Sequence, residues 1–159
     1  MGWKEARGFT LLELLVVVLI VGILAAIAVP ALQYALLRAR AQAIVGDIRV
    51  IETALLDYYG DKAAFPPEPA VGVEPPELRD YLRGRVVWNN RKYGYRLAWE
   101  NWMNANGTPK HPSTGVAYGI SVVTTRKDLA AMIAKVGPKP FKLTLANTYT
   151  YVMEPYKKP

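Results

Sequence analysis

A run of 24 residues near the N-terminus, FTLLELLVVVLIVGILAAIAVPAL at positions 9–32, carries one charge, Glu13. Residues 14–32 carry none. Nineteen helical residues at 1.5 Å each span about 29 Å, close to the thickness of a bilayer's hydrocarbon core. The uncharged stretch is therefore long enough to cross a membrane. Lys4 and Arg7 precede the run and favour a cytoplasmic N-terminus. Arg38 and Arg40 follow it and weaken that polarity.

Glu13 is the feature an ordinary anchor does not explain. An isolated carboxylate in lipid costs several kcal/mol, so it calls for a partner. A secretory signal would have a shorter apolar region and a small-residue cleavage site after it. Here helical spacing continues instead. Leu37, Ala41, Ile44, Ile48, Ile51, Leu55 and Tyr58 recur at intervals of three and four and share one helical face. Gly60 reads as the C-cap. Residues 9–59 therefore read as one helix of about 75 Å, apolar all round in its first half and amphipathic in its second.

The stretch Arg7-Gly8-Phe9-Thr10-Leu11-Leu12-Glu13-Leu14-Leu15-Val16-Val17 resembles the prepilin signal of type IV pilins and type II secretion pseudopilins. The resemblance covers roughly the first thirty residues. It implies a leader, residues 1–8, cleaved by a prepilin peptidase between Gly8 and Phe9, with Phe9 then N-methylated. It implies that Glu13 neutralises the terminal amine of a neighbouring subunit during assembly. Two opposite charges in a low-dielectric filament core are far better paired than single. It further implies that the segment between Gly22 and Pro30 is unwound in the filament; a simple kink at Pro30 is the other reading. The expected partners are other pilin or pseudopilin subunits, the peptidase, a motor ATPase and an inner-membrane assembly platform. The expected location is the inner membrane, single pass, N-terminus cytoplasmic and globular domain periplasmic, and then the pilus or pseudopilus at the cell surface.

The rest of the chain reads as a pilin-like globular domain, residues 33–159, beyond a membrane or filament-core segment, 9–32. Pro66, Pro67 and Pro69 make a loop of residues 61–73. A short helix is predicted at 75–82, closed at Gly84. Strands are predicted at 85–88 and 93–99 around a turn at 89–92, at 116–124, and in a final hairpin, 141–145 and 148–153, around 146–147. A long loop fills 100–115, and a second helix, from 125 or 126 to 136, ends at Gly137-Pro138. The fold class is α+β: a long helix packed on an antiparallel sheet of three to five strands.

Catalysis is not indicated. The single histidine, His111, lies in a Pro-flanked loop, and the two serines, Ser113 and Ser121, sit in no nucleophile-elbow pattern. Asp57 and Asp61 are four apart, but the expected helix end falls between them, so they read as capping and solvated charge. No phosphate loop, metal-ligand spacing or cofactor motif is present, and no cofactor is expected. There is no cysteine, although many type IV pilins close a C-terminal loop with a disulfide. Asp128 and Glu154 alone do not match the acidic calcium-binding loop of the major pseudopilins.

The net charge of +7 favours acidic partners. Six basic residues, Arg79, Arg83, Arg85, Arg91, Lys92 and Arg96, cluster against one acid, Asp80. Trp88, Tyr93, Tyr95, Trp99 and Trp102 are interleaved or adjacent. Basic groups beside aromatic platforms suit single-stranded nucleic acid. Basic groups alone suit a duplex backbone or an acidic face of the next subunit. The leading expectation is a structural, non-enzymatic filament subunit, with a minor pilin of a DNA-uptake pilus as its finer form. A type II secretion pseudopilin and a membrane-anchored DNA-binding protein are the alternatives.

Overall fold

The computed structural model describes residues 9–104, 107–108, 117–138, 141–145 and 147–154. The leader with Gly8, and the loop residues His111 and Ser113, lie outside them.

The chain divides into two units, Met1–Leu36 and Leu37–Pro159. Helix α1, Leu11–Lys62, contributes to both and passes Gly22 and Pro30 without interruption. In the first unit the large apolar side chains stay exposed, from 81% at Phe9 to 47% at Leu36. In the second unit α1 has a buried face: Ala41, Ile44, Val45, Ile48, Ile51, Ala54 and Leu55. Leu37 and Tyr58 pack against the same cluster, so the predicted stripe is the core stripe.

The helix does not stop at Gly60. It runs one half-turn further, to Lys62, and ends on Ala63 in a left-handed conformation, φ 53°, whose amide donates to the Tyr59 carbonyl at 2.8 Å. Tertiary contacts hold that last turn. The Tyr59 ring lies 4.8 Å from Phe65, and the Tyr81 hydroxyl donates to the Asp61 carboxylate at 2.7 Å. Glycine's weak helix propensity, about 1 kcal/mol, is outweighed. Asp57 and Asp61 are accordingly on the same helix, not on either side of its end.

A single 3₁₀ turn, Pro76–Leu78, leads into α2, Arg79–Leu82, which closes through left-handed Arg83 and Gly84. The sheet follows: β1 Asn89–Asn90, β2 Tyr95–Asn101, β3 Tyr118–Thr124, β4 Phe141–Leu145 and β5 Thr148–Glu154, with α3, Lys127–Val136, between β3 and β4. All neighbours are antiparallel, in the order β1-β2-β3-β5-β4. Trp99 opposes Ile120, and Ile120 opposes Tyr151.

The strand expected at 85–88 is replaced by the two-residue β1. The turn before β2 centres on Gly94, whose φ of 70° is a conformation that glycine adopts without steric cost. The expected turn at 89–92 lacks such a residue. Residue 88 still joins the sheet edge, because the Trp88 carbonyl accepts the Leu97 amide at 2.8 Å. Gly72 does the same from the other side of the proline loop, donating to Leu97 O at 2.9 Å. A Cβ on Gly72 would lie 3.2 Å from Arg96 Cδ, and its φ is 84°, so glycine suits both the space and the turn.

Period-two alternation sends Tyr95, Leu97 and Trp99 of β2, and Ile120 and Val122 of β3, into one core with the α1 stripe, Leu78, Leu82, Leu129, Met132 and Ile133. Trp99 is fully buried. Its indole N–H donates to Pro66 O at 3.0 Å, which ties the proline loop to the sheet. Tyr151 of β5 donates to Glu52 of α1 at 2.9 Å, a polar tie between sheet and helix.

Candidate assembly helix and basic surface

The start of α1 is a reciprocal cap. The Thr10 amide and hydroxyl both donate to Glu13 Oε2 at 2.8 Å, and the Glu13 amide donates to Thr10 Oγ1 at 3.2 Å. This is the capping box of a Thr followed three residues later by Glu. Its spacing is visible in the sequence, yet the reading there fixed on Glu13 and missed Thr10. The cap satisfies amides that would otherwise be orphaned at the helix start. It occupies one carboxylate oxygen, and Oε1 makes no hydrogen bond to the described residues. Phe9, just before the helix, is 81% exposed.

The basic residues are all exposed, and four of them are divided between two clefts. Arg83 and Arg85 line a cleft that also holds Asp57, Asp61 and Asp80. Their guanidinium groups are bent back onto backbone carbonyls: Arg83 Nε to Asp80 O at 3.3 Å, Arg85 Nε to Leu82 O and Nη2 to Tyr81 O, both at 3.2 Å. In the same cleft the Asp61 carboxylate, as hydrogen-bond acceptor and as charge, pushes the Tyr81 hydroxyl up to about 12. Arg79 stands on α2 nearby in sequence. Lys92 lies over the Tyr93 ring at 5.4 Å, and Arg40 of α1 approaches the same ring at 4.9 Å.

Arg91 and Arg96 are placed differently. They line a second cleft, about 330 Å³, formed by β1, the turn before β2 and the end of β3. Among the described residues, no carboxylate lines it. Asn89 and Thr125 border it, two residues that the sequence reading did not single out.

The aromatic platforms are not available. Trp88, Tyr95, Trp99 and Trp102 are buried, and only Tyr93 is partly accessible. Strand alternation decides this, since Tyr95 and Trp99 share the core-facing parity of β2 while Arg96 takes the opposite one. These four buried rings therefore offer no face for bases to stack on.

Asp128 is occupied by a salt bridge with Arg126 at 2.5 Å, and the guanidinium beside it holds its carboxyl below the usual range. Among the described residues, no group of three or more His, Cys, Asp or Glu is arranged to hold a metal ion.

Residues 3–29 match the family model for the prokaryotic N-terminal methylation motif. The chain is 41% identical over 88 residues to the type II secretion system core protein G of Klebsiella michiganensis, covering 49% of this chain and 60% of that protein. It is 33% identical over 117 residues to the fimbrial protein EcpC of Eikenella corrodens, covering 72% of this chain and 68% of that one. It is 39% identical over 81 residues to the type IV major pilin protein PilE1 of Neisseria gonorrhoeae, covering 51% and 37%. The chain thus spans about three-fifths of the length of the first curated relative it matches. No solved structure matches it. With the methylation motif at residues 3–29, a 52-residue helix from Leu11, a five-stranded antiparallel sheet in the second unit, and similarity to EcpC over two-thirds of both chains, this chain belongs to the type IV pilin and pseudopilin family.

Proposed function

We propose that the chain is a structural subunit, cut between Gly8 and Phe9, N-methylated at Phe9, held in the inner membrane and then assembled into a pilus or pseudopilus. The observation that carries this reading is the first half of α1, which exposes its whole apolar surface around one capped carboxylate. Burial among copies of the same helix removes that surface from water or lipid. The carboxylate held by Thr10 keeps Oε1 for the terminal amine of Phe9 in a neighbour. Such a pair sets the axial register of the packed helices, since a charge left unpaired in that interior is costly. Gly22 and Pro30 are where the helix is weakest, and unwinding between them in the filament would cost least there. A prepilin peptidase, an assembly platform and other subunits are the implied partners. The globular unit would face the periplasm.

Replacing Glu13 by alanine tests the central claim. Membrane insertion and leader cleavage should persist, while sheared-filament preparations should lose the subunit by at least an order of magnitude. Incorporation at the wild-type level would overturn the role given to Glu13.

A finer reading, a minor subunit of a DNA-uptake pilus, is supported by Arg91 and Arg96, which have no partner among the described residues. Labelled-DNA uptake by a strain lacking the gene, beside a complemented control, tests it. Uptake at the control level would leave secretion, motility or adhesion. The alternatives of a secretion pseudopilin and an anchored DNA-binding protein separate on the same two experiments.

A further inference from the structure

We propose that the cleft formed by β1, the turn before β2 and the end of β3 seats a phosphodiester group of a duplex nucleic-acid backbone, held by Arg91 and Arg96. The inference rests on the DNA-contact reading of the basic region and narrows it, in site and in substrate form.

Three observations carry it. The first is the state of the two guanidinium groups. Neither Arg91 nor Arg96 makes a hydrogen bond or ion pair with any described residue. Arginine's planar fork of donors matches phosphate oxygens in pairs. Asn89 and Thr125 add an amide and a hydroxyl with no partner among the described residues, suited to the remaining oxygen atoms. A volume of about 330 Å³ leaves room for a phosphate group and its flanking sugar atoms.

The second observation is the contrast with the other basic cleft. There, three aspartates stand beside Arg83 and Arg85, and both arginines already donate to carbonyls. An anion entering that cleft meets like charge. An anion entering the first meets none from the lining residues. The net charge of +7 draws a polyanion towards the chain, but it does not choose between the clefts.

The third observation concerns the form of the nucleic acid. Single strands gain affinity by stacking bases on exposed aromatic rings. Trp88, Trp99 and Trp102 are buried, and Tyr95, which borders the cleft, is 6% exposed. Recognition by charge remains, and it favours the duplex, which presents the denser array of phosphates.

The cleft's shape is maintained by groups that do not bind. Gly94 donates to Asn90 O at 3.0 Å, and its own carbonyl accepts the Thr124 hydroxyl at 2.8 Å. A Cβ on Gly94 would meet Arg126 Cδ at 3.4 Å. Arg126 itself is committed to Asp128, so it does not compete for the ligand.

The test uses the full chain in detergent micelles and a fluorescent 24-base-pair duplex, beside a single strand of the same length, over a salt series. The expected result is duplex binding at least as tight as single-strand binding. The double variant Arg91→Ala/Arg96→Ala should make the slope of log affinity against log salt shallower by about 0.9, the value for the one phosphate contact that the two arginines share. Arg83→Ala/Arg85→Ala removes the same charge from the aspartate-lined cleft and should change the slope by less than half of that. Thr125→Glu, which places a carboxylate at the first cleft, should weaken binding at least tenfold. Equal effects of the two double variants would overturn the site, as would clear preference for the single strand. Wild-type chain that binds neither probe would sink the DNA-contact reading as well, which distinguishes the two failures. Binding to vesicles of anionic phospholipid that exceeds duplex binding, and is lost in the first double variant, would overturn the nucleic-acid assignment in favour of a lipid headgroup.

Discussion

The two halves of α1 both carry large aliphatic residues and treat them in opposite ways. In Leu37–Pro159 the helix hides Ile44, Ile48 and Ile51 at 1% exposure or less. In Met1–Leu36 it leaves Ile20, Ile23 and Ile27 at 52% or more. Isoleucine is as apolar in one place as in the other. The difference is what the rest of the chain supplies. The second half has a sheet, two short helices and a proline loop to pack against. The first half finds no cover within the described residues of its own unit. Stability in the second half is therefore intramolecular, and in the first it depends on lipid or on other copies.

The comparison can be broken most forcefully at Glu13. Loss of assembly in Glu13→Ala should come with no change in the unfolding of the globular unit, because the carboxylate contacts only Thr10 among the described residues. A parallel loss of fold would mean the two halves are energetically one.

A graded version uses one substitution in both places. Ile51→Ala should destabilise the detergent-solubilised chain by about 2–5 kcal/mol, the usual cost of a buried truncation with its cavity. Ile20→Ala should stay within about 0.5 kcal/mol in the same assay, as exposed positions do. Urea unfolding followed by tryptophan fluorescence reads both. Similar shifts at the two sites would contradict the division.

The smallest effect sharpens the picture of the globular unit. Glu100 is buried on β2. Burial pushes its carboxyl above the ordinary range, the Ser121 hydroxyl opposes that, and the Glu68 carboxylate adds to it. The folded state then holds the proton more tightly than the unfolded chain. Its contribution is present at acid pH and is lost as pH rises from the ordinary carboxyl range through the raised folded value. Glu100→Gln should flatten the urea midpoint between pH 4 and pH 7 and raise it at the upper end. An unchanged slope would remove Glu100 from the pH response.

Much of this was legible in the sequence, for identifiable reasons. The spacing of Leu37, Ala41, Ile44, Ile48, Ile51, Leu55 and Tyr58 reports the core face directly, since a helix repeats every 3.6 residues. The bounds of the final hairpin and of α3 follow from their glycine, proline and asparagine flanks. The first hairpin was misplaced because Asn89-Asn90 looks like a turn, while the positive φ fell to Gly94. The division of the basic region between two clefts is not legible in the sequence. In sequence Arg83 and Arg96 are near neighbours, and nothing local says that Asp57 and Asp61, more than twenty residues upstream, stand beside the first and not the second.

The sequence by itself determined that the N-terminal segment is long and apolar enough to cross a membrane, because length and composition alone set that property. It also determined which face of the second half is core, because helical periodicity is local. Only the tertiary structure decided which arginines are without a partner among the described residues and which aromatics are spent on the core. Those outcomes depend on strand parity and on contacts between distant segments, which no local pattern encodes.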